Sequence, residues 1–140
     1  MTLPRQFIDC VQSGTLRRDQ GSWQLIDERD AYGNPLETEL GQIYETAEQI
    51  QRESALLPRD FPPDLADLPD EFASAPGFIP YITDFDRLLT FAIAGDGAPY
   101  CFDYRESADP SVIWWDDAYW RRIAPSFSTF LSLFHVERIA

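Results

Sequence analysis

The chain has 140 residues, 44% of them hydrophobic and 14% aromatic, with 11 basic residues against 24 acidic ones and a net charge of −13. That composition excludes wholesale disorder, and the longest apolar runs fall far short of a membrane span. The acidic excess repels phosphate backbones and anionic lipid; it argues against nucleic-acid and membrane partners and suits either plain solubility or a basic protein partner.

No basic start followed by an apolar stretch opens the sequence, so the expected compartment is the cytoplasm. All 11 basic residues are arginines. Pro4 begins a short helical pattern with Phe7, Ile8 and Val11 on one side and Gly14 as its stop. Trp23 and Leu25 alternate with polar neighbours and predict a strand. Gly33, Asn34 and Pro35 predict a turn. Leu36, Leu40, Ile43, Tyr44, Ala47 and Ile50 then recur at three- and four-residue spacing, which predicts an amphipathic helix over 36–54 with a solvated acidic face.

Residues 58–80 are crowded with prolines and aspartates. They read as an ordered connecting loop inside one domain spanning 1–140, packed by Phe61, Leu65, Leu68 and Phe72. The second half is strand-rich. Strands are expected over 78–82, 88–94, 100–104, 112–115 and 121–124. Gly95, Asp96 and Gly97 mark a hairpin turn. Pro125 and Ser126 open a last helix with Phe127, Phe130, Leu131 and Phe134 on one face, and His135 is expected on that helix. Helices, an antiparallel meander and a closing helix give an α+β class.

The chemistry-bearing motifs are few. Cys10 and Cys101 are the only cysteines and His135 the only histidine, so a four-cysteine zinc site within one chain is excluded. Asp84/Asp86 and Asp116/Asp117 are carboxylate pairs without the further ligands that a metal loop needs. No catalytic residue, metal or cofactor is expected. Asp103 and Arg105 share a face of their strand and serve either structure or binding. Trp114 and Trp115 point to opposite faces. One packs inside, and the other is either exposed as an interface anchor beside Asp116 and Asp117 or covered by a helix. Asp96 is either a turn residue or an exposed carboxylate that meets a partner.

Residues 88–134 carry a more specific pattern: an apolar strand, Gly95-Asp96-Gly97, Tyr100-Cys101-Phe102-Asp103, a strand with Val112, then Ile123-Ala124 leading into Ser126-Phe127-Ser128-Thr129-Phe130-Leu131. This resembles the second half of the SUKH superfamily, the Smi/Knr-like proteins. Leu3-Pro4-Arg5-Gln6-Phe7 resembles the family's Leu-Pro helix start, Gly14 its helix end and Trp23 its first-strand aromatic. The long helix that usually precedes the Leu-Pro element is missing from this sequence, and Gly14 lacks the family's preceding Asn. The resemblance implies a curved antiparallel sheet of about five to six strands flanked by helices. It also implies a non-enzymatic role. Bacterial members resemble immunity proteins that neutralise toxins, often nucleases, and fungal relatives are implicated in control of cell-wall synthesis. The expected contacts with a basic toxin are Asp84, Asp86, Asp96, Asp103, Arg105, Trp114, Trp115, Asp116 and Asp117. Trp23, Gly95, Gly97, Tyr100, Phe127 and Phe130 are the expected structural motif residues. The alternative is a regulatory scaffold with a constitutive partner. A monomer or a weak homodimer is expected, because an exposed strand edge invites pairing.

Overall fold

A computed structural model of the chain describes residues 2–14, 22–61, 77–79, 82, 84–116 and 119–137. Pro4 presets the backbone for α1 (Arg5–Ser13), and Gly14 stops it in the left-handed conformation at φ 73°. Its N–H donates back to Cys10 and Val11 carbonyls, which satisfies the helix end. Only Phe7 of this helix is fully buried. Its ring meets Phe91, Phe102 and Phe127 edge-on at 5.3–5.7 Å.

The predicted helix over 36–54 does not form as one piece. Two short strands, β2 (Glu39–Leu40) and β3 (Gln42–Ile43), take its first part. The helix α2 occupies only Ala47–Ala55. Both strands bury one residue, Leu40 and Ile43, and expose its neighbour, so the apolar spacing fits a bent extended chain as well as a helix. Gly41 lies between them where a Cβ would sit 2.9 Å from the Ala94 backbone. Two backbones thus meet at a residue that a helix interior disfavours. Thr46 then caps α2 by accepting the Gln49 N–H at 3.1 Å, the start signature that Thr46-Ala47-Glu48-Gln49 carries. A four-residue turn, α3 (Leu57–Asp60), follows and buries Leu57. Residues 62–76 of the expected packed loop, with Leu65, Leu68 and Phe72, lie outside the described residues.

The second half follows the predicted meander closely. After a 3-10 turn at Phe85–Arg87 come β4 (Leu88–Ile93), β5 (Pro99–Asp103), β6 (Ser111–Asp116) and β7 (Tyr119–Ala124). With β3 they form a five-stranded antiparallel sheet in the order β3-β4-β5-β6-β7. The expected strand over 78–82 is reduced, among the described residues, to a bridge between Phe78 and Arg121. Its backbone still guards the outer edge of β7, where Ile79 donates to Trp120 and Arg122 donates to Gly77.

Ser126 caps α4 (Phe127–Ser132) by accepting the Thr129 N–H at 3.1 Å. The helix ends before His135, which lies on a last strand, β8 (Phe134–Glu137), and not on a helix. The reason is the early strand β1 (Ser22–Leu25). β2 covers only Trp23 and Gln24 on one edge of β1, and β8 returns to fill the whole of the other, with His135 opposite Gln24. The result is a second, three-stranded sheet in the order β2-β1-β8. The architecture is α+β, two antiparallel sheets with helices.

Each face of the larger sheet has its own core. One holds Phe91, Tyr100, Phe102, Val112, Trp114 and Ile123 beneath Phe7, Phe127 and Phe130. The Phe91 and Phe102 rings stack at 4.1 Å. The other holds Leu57, Ile82, Leu88, Cys101, Ile113 and Trp120, with Phe61 and Trp115 at its margin. Period-2 alternation along β5 and β6 sends successive residues to these two cores.

Candidate functional site

The hairpin between β4 and β5 is a three-residue turn. Gly97 donates to the Ala94 carbonyl at 3.0 Å and has φ 91°, while the Asp96 carboxylate accepts the Ala98 N–H at 3.0 Å. Gly97 is glycine for its backbone angle. Gly95 is glycine for a different reason: a Cβ there would run into the Glu39 carboxylate. The turn therefore borders a cleft of about 310 Å³ lined by Gln24, Glu37, Thr38, Glu39, Gly95 and Asp96. Glu37, Glu39 and Asp96 are all exposed, and none meets a cation among the described residues. Tyr100 braces the Thr38–Glu39 wall from the core. Its buried hydroxyl donates to the Glu39 carbonyl at 2.6 Å and lies 2.7 Å from the Thr38 hydroxyl. Burial holds its phenol well above the ordinary value, so it stays a neutral donor.

Several of the other expected contacts have structural duties. Asp103 is buried and accepts the backbone N–H, Nε and Nη2 of Arg105, each at 3.0 Å. Burial works against the Arg105 charge, but the hydrogen bonds and charge of Asp103 outweigh it and hold its pKa above the ordinary value. This pair is an internal clamp, with only the edge of Arg105 at the surface. Trp114 is buried at 4% exposure and stacks on Tyr100, so it offers no interface anchor. Trp115 faces the opposite way and is half-buried, with Phe61 and Trp120 edge-on at 5.5 and 5.4 Å. Asp116 binds Arg121 Nη1 and the Tyr119 hydroxyl, both at 3.2 Å. Asp84 and Asp86 are exposed, the first just before the 3-10 turn and the second within it. Asp117 lies outside the described residues. Trp23 is half-buried opposite Leu40 and Val136, and Phe127 and Phe130 are core residues.

Sequence reasoning missed the ion pair that organises this end of the molecule. Arg121, 5% exposed, donates Nη2 to Asp30 at 2.9 Å and to the Pro35 carbonyl at 2.6 Å. The other Asp30 oxygen accepts the N–H groups of Tyr32 and Asn34 at 2.8 and 3.0 Å. The Asp30-x-x-Gly33 spacing is a readable turn signal, but nothing local names a partner 91 residues away.

The two thiols differ in burial. Cys101 is fully buried against Thr90, and burial pushes its thiol up to about 12. Cys10 is half-buried, and burial together with Asp9 raises its thiol as well. Among the described residues no group of three or more His, Cys, Asp or Glu side chains is placed to hold a metal ion. Among them too, no helix is long and apolar enough to cross a membrane.

The sequence model of the SMI1 / KNR4 family (SUKH-1) matches residues 1–133. No curated protein and no solved structure matches the chain.

Proposed function

The chain belongs to the SMI1 / KNR4 family (SUKH-1), and from that premise we propose that it is a non-enzymatic protein-binding module, an immunity protein that neutralises a basic toxin in the cytoplasm. A nuclease is the toxin class that fits best, because a surface that binds nucleic acid is basic. The protein would act as a monomer or weak homodimer.

One observation carries this reading: negative charge predominates, with 24 acidic residues against 11 basic ones and a net charge of −13. Among the described residues, Arg5, Arg59, Arg105, Arg121 and Arg122 each already lie against a carboxylate, while exposed Arg29, Arg52 and Arg87 do not and stand away from the Glu37–Glu39–Asp96 lining. Exposed Glu37, Glu39, Asp84, Asp86 and Asp96 have no such partner there. Unpaired anions around a cleft steer a cationic partner and raise its association rate far above a neutral encounter. We place the first contact at the Glu37–Glu39–Asp96 cleft, with Asp84 and Asp86 as separate negative charges at the opposite end of β4.

The test is co-expression with the product of the adjacent upstream gene in a host that this product kills. Rescue, with a stable complex that weakens at high salt, is the expected result. Survival no better than with the toxin alone overturns the pairing and leaves the regulatory reading, to be pursued by pull-down of a constitutive partner.

A further inference from the structure

Tyr32 is one of two large hydrophobic residues that stand exposed among the described residues, at 49%. Its backbone is not free to retreat. The Tyr32 N–H is held by Asp30 at 2.8 Å, Ala31 donates to the Ile123 carbonyl at 2.9 Å, and Asp30 itself is anchored by buried Arg121. A large aromatic ring presented on a pinned backbone loses little entropy on binding, which is the property of an interface anchor.

The ring borders a cleft of about 190 Å³ whose other walls include Asp103, Glu106, Asp109 and Arg122. The charges there leave a remainder. Arg105 matches Asp103, and Arg122 reaches Glu106 at 3.4 Å and Asp103 at 3.9 Å. The exposed Asp109 carboxylate meets no cation among the described residues. Three carboxylates against two guanidiniums leave one uncompensated negative charge beside an aromatic face. The volume, equal to about six waters at ~30 Å³ each, suits one long side chain and not a folded segment.

We propose that this cleft receives one arginine side chain of a basic protein partner, its guanidinium lying over the Tyr32 ring and forking to Asp109 and Glu106. The inference rests on the reading of a basic protein partner given above and adds where and how one of its cations is recognised. Arginine fits better than lysine because a planar guanidinium both stacks on the ring and bridges two carboxylates.

The experiment follows backbone amide shifts of the full chain on titration with acetyl-Gly-Arg-Gly-amide, and with the same peptide carrying neutral citrulline in place of arginine. The expected shifts are confined to Tyr32 and the 106–111 loop and are absent with citrulline. Tyr32→Leu and Asp109→Asn each weaken binding about two- to fivefold, while Tyr32→Phe keeps it. Asp109→Asn alters only an exposed side chain, so it carries the test even where Tyr32→Leu disturbs the loop. Absence of any response, shifts spread evenly over the acidic surface, or unchanged binding in Tyr32→Leu and Asp109→Asn would overturn the proposal. Those outcomes leave the co-expression result untouched, so the two readings fail separately.

Discussion

Arg121 and Arg122 are neighbours on β7 with opposite burdens. Arg121 is sealed inside with Asp30, whose side chain is 0% exposed, and Arg122 keeps a third of its side chain in water. Removing one partner of a buried pair strands the other charge in a poorly solvated site. Arg121→Met is therefore expected to cost about 3–5 kcal/mol of unfolding free energy. Arg122→Ala is expected to cost under about 1 kcal/mol. Urea denaturation of the two variants checks this, and equal midpoints would remove Arg121 from its organising role. The cysteines separate in the same way. A thiol reagent at pH 8 is expected to modify Cys10 and to leave Cys101 intact until the chain unfolds, because only Cys10 has a solvent-facing side. Mass spectrometry of the labelled native protein reads this directly, and prompt labelling of Cys101 would contradict its burial.

At the scale of an element, the β4–β5 hairpin shows that two glycines in one turn have different causes. Gly97 at φ 91° is expected to cost about 1–2 kcal/mol on replacement by alanine, since a Cβ strains the left-handed backbone. Gly95 is exposed, and its substituent would meet the far end of a flexible glutamate. Gly95→Ala should therefore stay within about 0.5 kcal/mol of the parent while moving Glu39 out of the cleft. Thermal melts distinguish the two, and equal destabilisation would mean that both glycines serve the backbone. The cap of α4 belongs to the same scale. Ser126→Ala removes the acceptor of the Thr129 N–H and should cost about 1 kcal/mol.

For the whole molecule, the shielded acids set the response to alkali. The Cys101 thiol and the Tyr104 phenol are each pushed by burial to about 12, from ordinary values of 9.0 and 10.0. The folded chain keeps protons that the unfolded chain gives up, so this stability is full below about pH 9 and falls as pH rises toward 12. Urea midpoints should decline from pH 9 upward, and a flat profile to pH 11 would contradict the burial of both groups. The net charge of −13 sets the response to salt. Association with a basic partner is expected to slow by about tenfold or more between low and high salt. Stopped-flow rates at several ionic strengths check that, and a salt-independent rate would mean that contacts other than charge govern the encounter.

What the sequence determined by itself is local. Gly14 as the end of α1, the Gly95-Asp96-Gly97 turn and the Ser126 cap rest on interactions within a few residues, the four strands of the meander pair with their sequence neighbours, and each stands in the structure. The pattern of residues 88–134 also sufficed to suggest the family. What only the tertiary structure decided depends on partners far away in the chain. Apolar spacing over 36–46 fits helix and bent strand alike until β1 and β4 supply backbones to pair with. The tail after α4 becomes a strand because the free edge of β1 offers donors and acceptors to Phe134–Glu137. Alternation says that Trp114 and Trp115 point apart, but only the packing of α1 and α4 against one face decides that Trp114 is the one sealed inside. The candidate clefts follow the same logic. Their carboxylates were legible as charge, whereas which of them stay unpaired was fixed by arginines that the fold brings from elsewhere, as Arg121 reaches Asp30.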